Sequence, residues 1–474
     1  MHSTRVTKLT GPVADAMLNL VFGHEAIPKL SLPTVARGDW GGFGFEGYDS
    51  RLTLAGATLH LHCKALGVAD PFSDFARFEE ELNLPSSFVL ADQSTLDVRI
   101  TNVRKRGGLN SPVDIGVGAL AHLDHWTWTT GLRPTVWLGS LAGADFHRGN
   151  LSLTTRSTGV LPTGYCNLRL EGQCNWHLLH VPGEEETVVV VEAPPTGLTP
   201  ELLRLDFKAA EYSLGHPLAL DAIVGIDEAF RPVAAMGLRF GARRLRSGRC
   251  PVPERLDSPV HWPAELFRHV ALKLADGENE QLLVPLGAYL DGATAHLDLA
   301  YLAAQVGLEA FSSRLAGSSA PTSLVTDLEA WQVWVAAQSN AIQKFARDAV
   351  AARKLLGKVI GAQRVPTGDV VEAALARFGL AVPDEVLQEI GKRSRSVHQY
   401  LMADVHHADL QADVVRRNMV LTLLAALIAQ YVGFQGPIAG WVRDEYGHPL
   451  TPEWWPHAGS DAEAVVYSCE RMIS

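Results

Sequence analysis

The sequence predicts an α+β multidomain chain, with a β-rich N-terminal region of sandwich- or barrel-like character followed by a C-terminal all-α bundle. Three observations carry this. The chain has 474 residues, more than one hydrophobic core usually organises. Its first half holds alternating or β-branched runs bounded by Gly, Pro, Asn or Asp, and from Trp262 onward helical periodicity takes over. With 47% hydrophobic and 20% charged residues there is ample material for burial, which argues against long-range disorder.

The elements follow in order. Strands are expected over Arg51–Leu61, Thr95–Val103, Asn150–Thr155, Cys166–Leu170 and Thr187–Glu192. Pro194-Pro195-Thr196-Gly197 reads as a linker or turn. Thr199–Ser213 has helical spacing, with Thr199 as N-cap and Pro200 in the first turn. Ile223–Gly241 returns to strand, and Arg243–Pro263, rich in Arg, Pro and Ser, reads as a junction between domains. Helices are expected over Ala264–Leu274, Glu278–Asp291, His296–Ala316, Leu324–Ile360 (with a break), Asp369–Phe378, Asp384–Val405 and Gln411–Tyr431. Asp369 and Glu372 read as a capping pair, and Gly379 with Pro383 separates two helices. The domain layout is therefore 1–193 β-rich, 194–295 mixed α/β, 296–440 helical bundle and 441–474 acidic tail.

A net charge of −11 excludes a protein that coats nucleic acid through its overall charge. The charge is unevenly spread: residues 1–295 carry 26 basic and 33 acidic side chains, 296–440 carry 13 of each, and 441–474 carry 2 and 6. The five cysteines form no CxxC, so neither a zinc ribbon nor a disulfide framework is expected. No run reaches the ~18 apolar residues of a membrane span; Met419–Phe434, the nearest, is interrupted by Thr422, Gln430 and Gly433 and reads as a buried helix. The expectation is a soluble cytoplasmic protein with no membrane partner.

The stretch Glu389-Ile390-Gly391-Lys392-Arg393-Ser394-Arg395-Ser396-Val397-His398 carries the strongest chemistry. Arg393 and His398 are separated by four residues on a helix whose apolar stripe is Ile390, Val397, Leu401 and Val405. RNA cleavage needs little more. The 2′-OH of the substrate is the nucleophile, an imidazole moves protons near neutral pH, and a guanidinium clamps the phosphate and stabilises the added transition-state charge. No metal or other cofactor is required, and DNA, lacking the 2′-OH, is refused. Five residues advance about 500° and about 7.5 Å, leaving the two side chains some 140° apart on a straight helix. Either the helix begins or distorts between them, or two copies share one groove. The alternative reading of Lys392, Arg393, Arg395 and His398 is a solvated basic helix face. Arg443 and His448 repeat the spacing in a Gly/Pro-flanked acidic tail, without an amphipathic helix.

This layout resembles the HEPN family, α-helical bundles with an Arg-x4–6-His motif near the start of a late helix and a long apolar helix after it. Here Met419–Tyr431 is that following helix, and Leu299-Ala-Tyr-Leu-Ala-Ala-Gln-Val-Gly-Leu-Glu-Ala-Phe resembles the family's opening helix. The resemblance spans about residues 296–440. It implies a HEPN-like bundle, a metal-independent ribonuclease of toxin–antitoxin, CRISPR or phage-defence type, and a homodimer across the motif. Arg393 and His398 would be catalytic and Ser394 would assist, with Lys392 and Arg395 on flanking phosphates. Family members usually have Asn or Asp where this chain has Ser394. A β-rich region joined to such a bundle also resembles the ApeA-like abortive-infection proteins, which implies a phage-derived or small-molecule trigger on the N-terminal region and RNA, tRNA included, as substrate. The competing reading is a non-catalytic, dimerising regulator with a ligand-binding β-rich domain.

Arg239, Arg243, Arg244, Arg246 and Arg249 form an acid-free basic strip, read as either phosphate-contacting or a solvated linker. His122-Leu123-Asp124-His125 is part of a metal-hydrolase pattern without its first His, and His60 and His62 lack a third ligand. Trp126, Trp128, Trp454 and Trp455 read as core or ligand-stacking aromatics, with burial the favoured expectation.

Overall fold

The structure, a computed structural model, describes residues 7–9, 11–13, 16, 31–32, 35–40, 43–47, 52–55, 58–65, 85–99, 102–105, 113–117, 126–143, 151–153, 166–180, 186–241, 248–253, 260–277, 279–295, 297–317, 323–361, 365, 367–391, 407–443 and 449–456. They form two compact units, Met1–Asn279 and Glu280–Ser474.

The first unit is built on one antiparallel sheet, in which sixteen of the described strands join a single ladder. A run of nine begins at Cys166–Glu171 and passes through Asn175–His180, Glu186–Glu192, Val136–Ala142, Ala219–Ile226, Pro232–Gly241, Trp126–Thr129 and Thr95–Arg99 to Pro85–Leu90. Period-2 alternation places large apolar residues on one face of neighbouring strands. Leu170, Trp176, Val191 and Trp137 follow one another across four strands in register, and all are buried. The region 194–295 contributes to this same sheet: the hairpin 219–241 inserts between Val136–Ala142 and Trp126–Thr129. The strand expected over Ile223–Gly241 is two strands, divided by a turn in which Asp227 accepts hydrogen bonds from the Ala229 and Arg231 amides.

Both indoles of Trp126 and Trp128 are buried, as expected, and Trp128 Nε1 donates to Ser94 Oγ at 2.8 Å. Trp126 lies across Gly237, its register partner, so that a Cβ at 237 would run into the indole. Gly237→Val is therefore expected to destabilise the unit by about 3 kcal/mol or more, through overpacking at a site whose neighbour is fully buried. A shift of the urea midpoint at unchanged m-value checks this.

Helix α1 (Pro200–Leu214) starts and stops on local chemistry. Thr199 Oγ1 accepts from Leu202 N, Pro200 occupies the first turn, and Gly215 (φ +71°) closes the end in the left-handed region. Helix α2 (Trp262–Ala275) is capped by His261 Nδ1, which accepts from Ala264 N at 3.2 Å, and it packs on α1 and on the strand Cys166–Glu171.

The second unit is helical among its described residues: α3 (Asn279–Thr294), α4 (Leu297–Ala316), α5 (Leu328–Phe345), α6 (Ala349–Gly361), α7 (Thr367–Arg377), α8 (Asp384–Gly391) and α9 (His407–Tyr431). Gly307 faces Ala288 and Gly292 faces Ala304, so α3 and α4 approach through small residues. The centre of the unit is α9, buried all round from Val420 to Ala429 and packed on α4 and α8. Its stretch Val414–Tyr431 is long and apolar enough to cross a bilayer by composition, yet most of it is buried inside the unit as a core helix.

The expected break in Leu324–Ile360 falls at Ala346–Asp348. Ala346 is extended, and Asp348 Oδ1 accepts from Ala351 N at 2.8 Å to begin α6. Trp334 and Phe345 of the resulting hairpin are exposed. Helix α7 begins at Thr367, so Asp369 sits inside the first turn, facing the positive helix end, instead of forming a capping box with Glu372. It ends at Gly379 (φ +70°), with the Leu380 amide donating to Leu375 O. After α9, the described residues 436–443 and 449–455 pack on the unit: Leu450 and Trp455 are buried, and Trp455 Nε1 donates to Gly436 O.

Candidate functional site

The residues singled out for chemistry, Arg393, Ser394 and His398 with Lys392 and Arg395, lie outside the described residues, as do Arg243, Arg244 and Arg246 of the basic strip and His122, Asp124 and His125. What the structure describes is the ground on either side. Helix α8 carries the chain to Gly391, two residues before Arg393, and α9 takes it up again at His407.

Ile390, the last buried residue of α8, is held by α4. Along α4, Tyr301, Gln305, Leu308 and Ser312 recur at i, i+4, i+7 and i+11, which puts them on one face, and all four are buried. Gln305 Nε2 donates to Glu309 Oε1 at 3.0 Å and to the Ile390 carbonyl at 3.5 Å. Its Oε1 has no partner, nor has Ser312 Oγ. A buried amide oxygen left unmade costs about 1–3 kcal/mol, so this acceptor is a poor choice for mere packing. It can take a hydrogen bond from a guanidinium, an imidazole N–H or a ribose hydroxyl. Gln305 was not singled out in the sequence. Its only signal is a lone amide in the apolar helix Leu299–Phe311, four residues before Glu309.

The β unit holds two polar clusters that sequence reasoning also missed. On one sheet face Arg169 and His177 are register partners, and Asn175 pairs with Glu192. His177 is fully buried, and its Nε2 lies 3.3 Å from Glu192 Oε2, off the line of a straight hydrogen bond. This imidazole, with the Asn175 amide and Arg169, holds the Glu192 carboxyl below the usual carboxylate range despite its partial burial.

The second cluster is centred on Asp206 of α1, also fully buried. It accepts from Gln173 N (3.1 Å), Cys174 N (2.8 Å) and Trp176 Nε1 (3.2 Å), clamping the hairpin that joins two strands. Gly172 makes room for it, since a Cβ there would stand 2.7 Å from Asp206 Oδ1. Burial outweighs these bonds and pushes the Asp206 carboxyl up to about 6. Burial, with Asp206 alongside, pushes the Cys174 thiol up to about 12, which leaves it a poor nucleophile. The three donors are all structural, so this carboxylate is a clamp.

Because the folded pKa of Asp206 is raised, the folded state binds more protons than the unfolded one between about 4 and 6. Stability from this group is fully present below the unfolded value and is lost as pH rises through about 6. The shift from 3.8 to about 6 corresponds to about 3 kcal/mol. Urea unfolding of the wild type across this window should show that decline, and Asp206→Asn should flatten it.

Among the described residues no three His, Cys, Asp or Glu side chains come together as a metal site. No family model, curated protein or solved structure matches the chain.

Proposed function

We propose that this chain is a metal-independent endoribonuclease of an anti-phage abortive-infection or toxin-like system, with its nuclease centre in a HEPN-like bundle. Arg393 binds the scissile phosphate, His398 moves the protons, and Ser394 assists. Lys392, Arg395 and the strip Arg243, Arg244 and Arg246 contact flanking phosphates. The β-rich region, read as sandwich- or barrel-like, senses a phage-derived or small-molecule trigger. Two copies meet through the bundle, and the protein acts in the cytoplasm on RNA such as tRNA.

The observation that supports this reading most is Gln305. Its Nε2 reaches the Ile390 carbonyl at 3.5 Å, three residues before Arg393 in the chain, and its Oε1 is buried without a partner. A packed helical unit with α8 before that stretch and the core helix α9 after it has the order of elements the resemblance implies. The decisive experiment expresses wild type and His398→Ala under activating conditions and compares growth arrest and RNA integrity, with EDTA present in vitro. Cleavage in EDTA that His398→Ala loses supports the proposal; equal RNA integrity in the two strains overturns it.

A second reading, a non-catalytic dimerising regulator, is favoured by Ser394 in place of Asn or Asp and by the uncovered apolar residues Val333, Trp334 and Phe345 on the α5–α6 hairpin. In that case both strains retain intact RNA while the protein still self-associates.

A further inference from the structure

The hairpin α5–α6 presents an apolar face to solvent. Its two helices pack on each other, and neither has an extensive contact with another described element. Val335 of α5 and Ala352 of α6 are the only buried side chains of the two helices, so they mark the line of contact. Trp331 and Ile342 on α5, with Leu356 and Val359 on α6, are half-buried beside them.

Periodicity shows which residues flank that line. Trp334 and Phe345 fall about 100° and about 80° from Val335, both in the same rotational sense. Leu355 falls about 60° from Ala352, again in that sense. Antiparallel helices are related by a two-fold axis normal to their common face, so side chains displaced in one sense share that face. Trp334, Phe345 and Leu355 therefore lie together, and they are 50%, 88% and 42% exposed. Trp331 stacks on Trp334 with ring centroids 5.1 Å apart, which holds the exposed indole in place.

The free charges around this face have one sign. Lys358, three residues after Leu355, borders it, and Lys354 and Lys344 stand on the outer sides of the two helices. All three are exposed, and none has an ion pair among the described residues. Helix α6 carries Arg353, Lys354 and Lys358 and no acid. The carboxylates at the helix starts are engaged: Asp327 accepts from Ala330 N, and Asp348 from Ala351 N and Arg347 Nε. Glu329 falls about 120° from Val335 in the opposite sense, on the other flank.

That pairing of apolar strip and lysine rim selects a partner. A second copy of the face would set one cationic rim against another, and RNA would gain nothing from covering Leu355. An anionic bilayer suits both features: aromatic and aliphatic groups enter below the headgroups, while lysine stems run along them and place their ammonium groups on lipid phosphates. We propose that the α5–α6 hairpin docks this chain on an anionic lipid surface, with Trp334, Phe345 and Leu355 immersed and Lys344, Lys354 and Lys358 on the headgroups. The hairpin lies on the bilayer without crossing it, since α6 has 13 residues, about 20 Å of helix against a hydrocarbon core of about 30 Å. The sequence expectation of no membrane partner rested on the lack of a spanning run, which a surface contact does not need. The proposal is independent of the nuclease reading.

The test sediments full-length protein with vesicles of phosphatidylcholine alone, or of phosphatidylcholine and phosphatidylglycerol in equal parts. Binding to the mixed vesicles is expected, at least tenfold stronger than to the neutral ones and weakening as salt is added. The double variants Trp334→Ser/Phe345→Ser and Lys354→Glu/Lys358→Glu should each lower it at least tenfold. All four residues are exposed, so the variants should keep the wild-type circular dichroism and melting temperature. No binding to the mixed vesicles, equal binding to both kinds, or unchanged binding by either variant overturns the proposal. So does a lipid-free dimer that Trp334→Ser/Phe345→Ser dissociates, which assigns the face to a second copy. RNA binding that Lys354→Glu/Lys358→Glu loses, from a protein that ignores vesicles, overturns it in favour of nucleic acid.

Discussion

Single-turnover RNA cleavage by His398→Ala is expected to run about 10²–10⁴-fold slower than by the wild type, the usual worth of a positioned general acid or base. Arg393→Ala is expected to cost a comparable ~10²–10³-fold, because it removes the cation facing the charge that develops on phosphorus. The two losses should not add: with either partner gone, the other has no transition state to stabilise, so the double variant should resemble the worse single one. Arg393→Lys should recover only part of the rate, since a point charge replaces a two-pronged donor. Gln305 offers a milder, positional test. Gln305→Leu keeps the volume near α8 but removes the grip on the Ile390 carbonyl, so it should reduce cleavage without unfolding the helical unit.

Asp206→Ala should destabilise the β unit by about 3–5 kcal/mol. The substitution leaves three donors, the Gln173 and Cys174 amides and the Trp176 indole, without their acceptor, and Trp176 is fully buried. It also opens a void between α1 and the hairpin that the carboxylate clamps. Two measurements check this: the urea midpoint, and the reactivity of Cys174 toward a disulfide reagent. In the wild type the thiol is buried and held near 12, so it should react slowly; release of the hairpin should expose it and speed the reaction. Unchanged thiol reactivity together with an unchanged midpoint would contradict the clamp.

Local chemistry was legible in the sequence, and long-range pairing was not. Thr199, Pro200 and Gly379 signal helix ends through interactions within a few residues, and α1 and α7 end where those signals stand. Strands with a strong β-branched run, such as Thr187–Glu192, were equally readable. Val35–Trp40 and Phe43–Gly47 were not marked as strands, because they are short and rich in glycine and charge, residues that weaken local strand preference; pairing with each other and with neighbouring strands supplies what the local sequence lacks. The insertion of 219–241 between strands ending at 129 and beginning at 136 is a contact of about a hundred residues' separation, and no local pattern encodes it.

The same division holds for the sites. The Arg393–His398 spacing is readable because both residues are chemically distinctive and close in sequence. Asp206 stands among several charged residues of α1 and Gln305 in the apolar middle of α4, and nothing in their neighbours foretells that one clamps a hairpin over thirty residues upstream and the other reaches a carbonyl 85 residues downstream. Burial turns such residues from ordinary surface polarity into structural or functional commitments, and burial is a property of the fold.

The chemistry of the cleaved ends tests the nuclease claim most directly. Wild-type protein is incubated with RNA in EDTA, and the fragment termini are identified by mass spectrometry beside those from His398→Ala. Attack by the neighbouring 2′-OH predicts 2′,3′-cyclic phosphate and 5′-hydroxyl ends in the wild-type reaction alone. Fragments with 3′-hydroxyl and 5′-phosphate ends, or the same fragments from His398→Ala, would contradict it.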